Sequence, residues 1–311
     1  MDTEPFMDIA WRIVARLDPE GALVGAARLA GGVSAQIYTI EYIDSSGARQ
    51  RVVVRQHGPR DLARNPDIAR DEFRLLAALY ERGIAVPAPI LFDDSMEILS
   101  TPYLVVKFID GETTPTEVPL DALIDQIAGQ LAAIHRVDWQ ESGLATLPDQ
   151  NDTYLKRVLN RPSELANDMG EDVAREAMEH RGMLAQLNPP VLLHGDFWPG
   201  NLLWREGNIV GIIDWEDAAI GDPLADLANC RMELLFAYGV VAMDAFTRRY
   251  VEIAPIDLDG MPYWDLFAAT GSILRLREWE LSPDAVRSML ERHGAFVRQA
   301  LQRIAANSSN P

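Results

Sequence analysis

Residues 192–204 read LLHGDFWPGNLLW and place a histidine, an aspartate and an asparagine around two glycines and a proline, directly ahead of an apolar run. Gly195, Pro199 and Gly200 exclude regular structure across the middle of this stretch, so the Asp196 carboxylate stands in an irregular loop, free to accept a proton. Five residues on, Asn201 opens the sequence NLLWREGNIVGIIDW, two apolar runs around the turn signal REGN. That pattern predicts a β-hairpin. Pairing Trp204 with Ile209 or Val210 carries Asn201 to a position opposite residues 212–214. The amide of Asn201 and the carboxylate of Asp214 then meet at the open end, close enough for one oxygen from each to hold a single Mg²⁺. A base in a loop, an amide five residues later and a carboxylate at the end of the next hairpin form the arrangement by which kinases surround a transferring phosphoryl group.

The motifs HGDFWPGN and GIIDWEDAAIGDPLADLA resemble those of the aminoglycoside phosphotransferase-like family of small-molecule kinases, which is related in fold to choline kinases and protein kinases. The similarity covers about residues 27–279. It implies Asp196 as catalytic base, Asn201 and Asp214 as Mg²⁺ ligands, and ATP or GTP as donor. It also implies His194 as a residue that orders the loop and Asp226 as an acceptor that holds the loop from the following helix. His135 matches a family pattern too, although one histidine on an amphipathic helix is more often a packing residue.

These residues need elements to carry them. Residues 1–106 read as a small sheet with one helix, and residues 107–311 as helices interrupted by the hairpin. The expected architecture is α+β and bilobal, protein-kinase-like, with a β-rich N-terminal nucleotide-binding lobe and a larger helical lobe for catalysis and acceptor binding. In LAGGVSAQIYTI, Gly31, Gly32 and Ser34 suit a loop laid over phosphates, although an ordinary hairpin turn has the same composition. The alternation in RVVVRQ puts Val53 and Arg55 on one strand face, so that a valine roofs the adenine and a cation reaches the phosphates. Protein kinases use lysine there. No lysine precedes Lys107, so Arg55 takes that place, with its fixed charge and bidentate fork. On the helix after Pro66, Glu72 falls in the apolar stripe of Ile68, Leu75, Leu76 and Leu79 and is expected to pair with Arg55. By resemblance, the backbone around Val106 to Phe108 forms the hinge that meets the purine edge.

The net charge of −19 and a complement of two lysines exclude nucleic acid as a partner. No apolar run reaches the length of a membrane span, so no membrane partner and a cytoplasmic location are expected. The sequence implies no particular oligomeric state. Cys230 lies in an apolar run and is expected to be a buried, inert thiol. Residues 1–111 carry 12 basic against 16 acidic residues, and residues 112–311 carry 16 against 31. The acidic excess therefore lies in the helical part. That excess favours a cationic hydroxyl acceptor, an amine-bearing alcohol such as an aminoglycoside, with Glu216 and Asp217 and the trio Glu278, Trp279 and Glu280 as the residues to attract it. Two alternatives stand beside it. One is a kinase of a hydroxyacyl or sugar metabolite. The other is a nucleotide-binding pseudokinase that regulates a partner, which the presence of Asp196, Asn201 and Asp214 together opposes and the arginine at position 55 favours.

Overall fold

The computed structural model describes residues 4–29, 35–115, 117–159, 171–181, 187–272 and 282–308. The chain divides into two compact units. The first holds residues 1–112 together with 203–205 and 209–216, so most of the hairpin counts with the N-terminal sheet although it lies far along the sequence.

In the first unit, α1 (Glu4–Leu17) precedes the strands β1 (Ala22–Arg28), β2 (Ala35–Ile43) and β3 (Arg49–His57). Helices α2 (Pro59–Arg64) and α3 (Ile68–Glu81) follow, and then β4 (Pro89–Asp93) and β5 (Tyr103–Lys107). The strands form one antiparallel sheet in the order β1-β2-β3-β5-β4. The sequence predicted one helix here. Among the described residues there are three, because the amphipathic start of the chain packs Ala10, Ile13 and Val14 onto the sheet, and residues 59–64 form a separate short helix behind Pro59.

Strand alternation sorts the sheet into two faces. Val52 and Val54 of β3 and Tyr103 and Val105 of β5 share the core with α1. Val53, Arg55 and His57 therefore point to the other side. Val53 stands opposite Val106 and Arg55 opposite Leu104. Helix α3 buries Ile68, Glu72, Leu75, Leu76 and Leu79, the predicted stripe with its carboxylate. Its end is a Schellman motif: Ile84 N–H donates to the Leu79 carbonyl at 3.1 Å and Gly83 N–H to the Tyr80 carbonyl at 3.0 Å. Gly83 takes the left-handed conformation this closure needs, with φ +75°.

The second unit is mostly helical. It contains α4 (Leu120–His135), α5 (Gln150–Leu159), α6 (Glu171–Arg181), α7 (Leu224–Tyr238), α8 (Val240–Ile253), α9 (Met261–Ser272) and α10 (Pro283–Ser308). Two three-residue strands, β6 (Val191–Leu193) and β9 (Ala219–Gly221), pair antiparallel. Helix α7 packs against α8, α9 and α10 and is buried nearly all round, from Leu224 to Phe236, which makes it the core helix. Cys230 is fully buried on it, and burial holds its thiol far above the ordinary value, which accords with an inert role. Among the described residues, no helix is long and apolar enough to cross a membrane.

The hairpin itself is β7 (Leu202–Arg205) paired with β8 (Asn208–Ile212). Its two-residue loop, Glu206 and Gly207, has φ of 52° and 76°. Two successive positive φ values are the signature of a type I′ turn, whose twist matches that of the strands.

Candidate active site

The loop between β6 and β7 is held from below by α7. Asp226, in the first turn of that helix and 1% exposed, accepts the backbone N–H of His194 at 2.7 Å and of Gly195 at 2.9 Å, one on each oxygen. His135 Nε2 lies 3.3 Å from the same carboxylate, and His135 Nδ1 lies 2.7 Å from the Tyr250 hydroxyl. With Nε2–H donating to Asp226, Nδ1 accepts from Tyr250, so every member of the chain is satisfied. Gly195 has φ +84°, and a Cβ there would fall 1.9 Å from the Asp217 carbonyl oxygen. Only glycine fits. His194 is fully buried, and its Nδ1 accepts the Asp196 N–H at 3.3 Å, which is the loop-ordering position.

Asp196 is fixed from two sides. The Asn201 amide donates to the Asp196 carbonyl at 2.9 Å and to Oδ2 at 3.2 Å. Asn229, on α7, donates to Asp196 Oδ1 and to the Phe197 carbonyl, each at 3.3 Å. Because the nitrogen of Asn201 is turned to Asp196, its side-chain oxygen points away from that carboxylate. Asn201 sits in a single 3-10 turn, Pro199–Asn201, started by the proline. Asn229 was not expected from the sequence; its one signal is the i, i+3 spacing from Asp226, which puts both on one helix face.

In the first unit, Arg55 is the centre of a carboxylate cluster. Its side chain is 11% exposed, and Nη1 lies 3.6 Å from Glu72 Oε1, the expected strand-to-helix pair. Nη2 donates to Asp214 Oδ1 at 2.7 Å and also to Glu216. Glu216, expected to attract an acceptor, is instead a partner of Arg55, because the turn after β8 brings Asp214 and Glu216 to the same guanidinium nitrogen. Asp214 itself has φ +69°. Burial pushes the Glu72 carboxyl up to about 7, with Arg55 opposing. Burial also works against the Arg55 charge, but Glu72, Asp214 and Glu216 together hold its pKa above the ordinary arginine value.

Two further residues join this cluster. His57, two residues after Arg55 on the same strand face, is 1% exposed, with Nε2 3.3 Å from Glu72 Oε2. Burial, followed by the Arg55 charge, lowers its pKa to about 3, so it is neutral. Asp61 of α2 is 4% exposed and raises the Glu72 pKa further. The strand alternation that marked Arg55 could have marked His57; nothing in the sequence marked Asp61.

The segment around Val106 to Phe108 is partly committed already. Lys107 N–H donates to the Ala88 carbonyl at 2.8 Å and Phe108 N–H to the Arg51 carbonyl at 3.1 Å. A purine bond to the Phe108 amide would have to break that ladder bond. The Phe108 ring is covered by the Arg51 guanidinium, 3.6 Å from its centroid. Gly31, Gly32 and Ser34, and also Glu278, Trp279 and Glu280, lie outside the described residues. Among the described residues, no group of three or more His, Cys, Asp or Glu side chains forms a metal cluster. Asn201 belongs to the second unit and Asp214 to the first.

Residues 25–265 match the phosphotransferase enzyme family. Acyl-CoA dehydrogenase family member 10 of Mus musculus is 26% identical over 195 residues, covering 58% of this chain and 18% of its own length. Viomycin phosphotransferase of Streptomyces vinaceus is 28% identical over 171 residues, covering 51% of this chain and 59% of its own. The chain thus spans about a fifth to a third of the acyl-CoA dehydrogenase relatives it matches. Among solved structures, amicoumacin kinase in complex with AMP-PNP, Ca²⁺ and Ami superposes with a TM-score of 0.66 at 14% identity, covering 96% of this chain and 94% of that one. The GDP and kanamycin complex of an aminoglycoside 2″-phosphotransferase does so with a TM-score of 0.64 at 18% identity, covering 96% and 98%. With more than three quarters of its length matched by that family, the chain belongs to the phosphotransferase enzyme family.

Proposed function

We propose that this protein transfers the terminal phosphoryl group of ATP or GTP to a hydroxyl of a small molecule, with Asp196 as the base that orients the hydroxyl and takes its proton. The observation that carries this reading is the Asp196 carboxylate itself, gripped by two side-chain amides in a loop that Asp226 pins. A carboxylate so held meets an incoming hydroxyl in one orientation. Arg55 meets the phosphates, and Val53, which faces Val106 across the ladder, covers the purine. Asn201 and Asp214 are the proposed ligands of a divalent cation, Mg²⁺ in the first instance. Asp214 suits that role: it offers a hard oxygen and already attracts a cation, the Arg55 guanidinium. When bound, the ion neutralises phosphate charge.

An amine-bearing alcohol is the first acceptor class. The acidic excess of residues 112–311 supports it, as do relatives and neighbours named for viomycin, kanamycin and amicoumacin. A hydroxyacyl acceptor is the second, favoured by the acyl-CoA dehydrogenase relatives and by the turning of Glu216 to Arg55, which removes one acid from the expected wall.

The test is phosphoryl transfer from MgATP and MgGTP to kanamycin, to its N-acetylated form and to a hydroxyacyl-CoA, at low and high salt. A cationic site gives preference for the free amine and efficiency that falls with salt. Preference for the thioester selects the second class. No transfer to any acceptor, with nucleotide bound, selects the pseudokinase. Asp196→Asn should reduce transfer by roughly a hundredfold or more with nucleotide affinity retained; near-normal turnover would remove Asp196 from the mechanism.

A further inference from the structure

We propose that Asn229 is the positioning residue of the reacting carboxylate, holding Asp196 in the rotamer that meets the acceptor hydroxyl. The proposal rests on the reading of Asp196 as the base. Asp226 and Asn229 are three residues apart on α7, on one helix face, and together they reach four consecutive loop residues. Asp226 takes the amides of His194 and Gly195, and Asn229 takes the Asp196 carboxylate and the Phe197 carbonyl. The division of labour is chemical: the carboxylate on the helix fixes the loop backbone, and the amide on the helix fixes the loop side chain.

Asn229 can do this because an amide nitrogen carries two hydrogens. One satisfies the Phe197 carbonyl, a contact any loop would welcome. The other is spent on Oδ1 of Asp196, which a purely structural residue has no need to touch. Asn201 holds Oδ2 at 3.2 Å, so each oxygen of the carboxylate has an amide donor of its own. Without the bond from Asn229 to Oδ1 the carboxylate is held less firmly about its Cβ–Cγ bond, and the fraction of time spent aligned with the acceptor falls. Misalignment of this kind lowers kcat and leaves nucleotide affinity alone.

The test uses the full chain with water as the acceptor, followed as phosphate release from MgATP. Asn229→Ala should lower kcat about tenfold or more with the KM for ATP within about twofold of the parent. Asn229→Asp, of the same shape, should lower it at least as much, because the donor becomes a second acceptor facing Oδ1; it covers the case in which the alanine variant folds poorly. In the Asp196→Asn background, Asn229→Ala should cost little further, since the carboxylate it positions is gone. A kcat within about twofold of the parent in both single variants, or the same fold-loss in both backgrounds, overturns the proposal. Phosphate release by Asp196→Asn as fast as by the parent overturns the reading beneath it as well, which separates the two failures.

Discussion

Arg55 Nη2 donates to Asp214 Oδ1 at 2.7 Å while Nη1 of the same guanidinium lies 3.6 Å from Glu72, so one arginine joins the helix carboxylate to the aspartate at the end of the hairpin. A lysine in its place has a single ammonium and reaches both only by compromise. Removing the charge leaves Glu72, Asp214 and Glu216 facing one another around a largely buried space. Arg55→Ala should therefore lose about 3 kcal/mol or more of stability and weaken nucleotide binding, while Arg55→Lys recovers part of each. Urea unfolding and nucleotide titration of the two variants check this. Parent-like nucleotide affinity in Arg55→Ala would place the phosphate cation elsewhere.

The neighbours of Arg55 make stability depend on pH in two opposite ways. The Glu72 carboxyl has a higher pKa folded, about 7 against 4.5, so the folded state holds its proton more tightly and the contribution is lost as pH rises through that window. His57 has a lower pKa folded, about 3 against 6.5, so its contribution is lost as pH falls through that window. Where the windows overlap the slopes oppose. Relative to the parent, His57→Leu should lose stability by about 2 kcal/mol more between pH 5 and 7, and Glu72→Gln should show the opposite trend. Urea midpoints at a series of pH values decide it; difference curves that are flat for both variants would contradict the assigned environments.

The fold was legible where one segment decides the outcome. The α3 stripe, with Glu72 inside it, and the closure at Gly83 follow from spacing and from one residue's tolerance of positive φ. The hairpin follows from REGN, whose loop residues adopt the two positive φ values its turn needs. The helix α1 was missed as a part of the sheet's core because amphipathic spacing shows that a helix needs a partner, and never which one. The site was legible in the same proportion. His194, Asp196, Asn201 and Asp226 share short motifs, but Asn229, His57 and Asp61 gain meaning only from distant segments folded against them. Glu216 illustrates the limit: two residues from Asp214, it reads as one more acid until Arg55, far back in the chain, is seen to hold both.

Gly195 gives a sharp test of the loop. Its φ of +84° and the 1.9 Å approach of a would-be Cβ to the Asp217 carbonyl leave no room for any side chain. The obstacle is backbone, which cannot swing aside as a side chain can. Gly195→Ala should cost about 1–3 kcal/mol from the left-handed conformation alone. The displacement pulls the Gly195 N–H from Asp226, so phosphoryl transfer should drop at least tenfold with nucleotide affinity little changed. Parent-like transfer would show that the loop tolerates a different path.

Asp226 should prove more sensitive than Tyr250, the far end of the same network. It is 1% exposed and accepts from the amides of His194 and Gly195 and from the direction of His135 Nε2. Asp226→Asn keeps the shape but replaces one acceptor oxygen with an NH₂ group, which then faces a donor. Each buried donor left without a partner costs about 1–3 kcal/mol, so a loss of about 2–4 kcal/mol is expected, with transfer falling at least tenfold as the loop loosens. Tyr250→Phe removes only the hydroxyl that His135 Nδ1 accepts and should cost about 1 kcal/mol. Thermal unfolding of both variants, beside their rates of transfer, gives the order. A Tyr250→Phe loss equal to that of Asp226→Asn would mean that the network is held from the tyrosine end, and that the loop amides contribute less than their geometry implies.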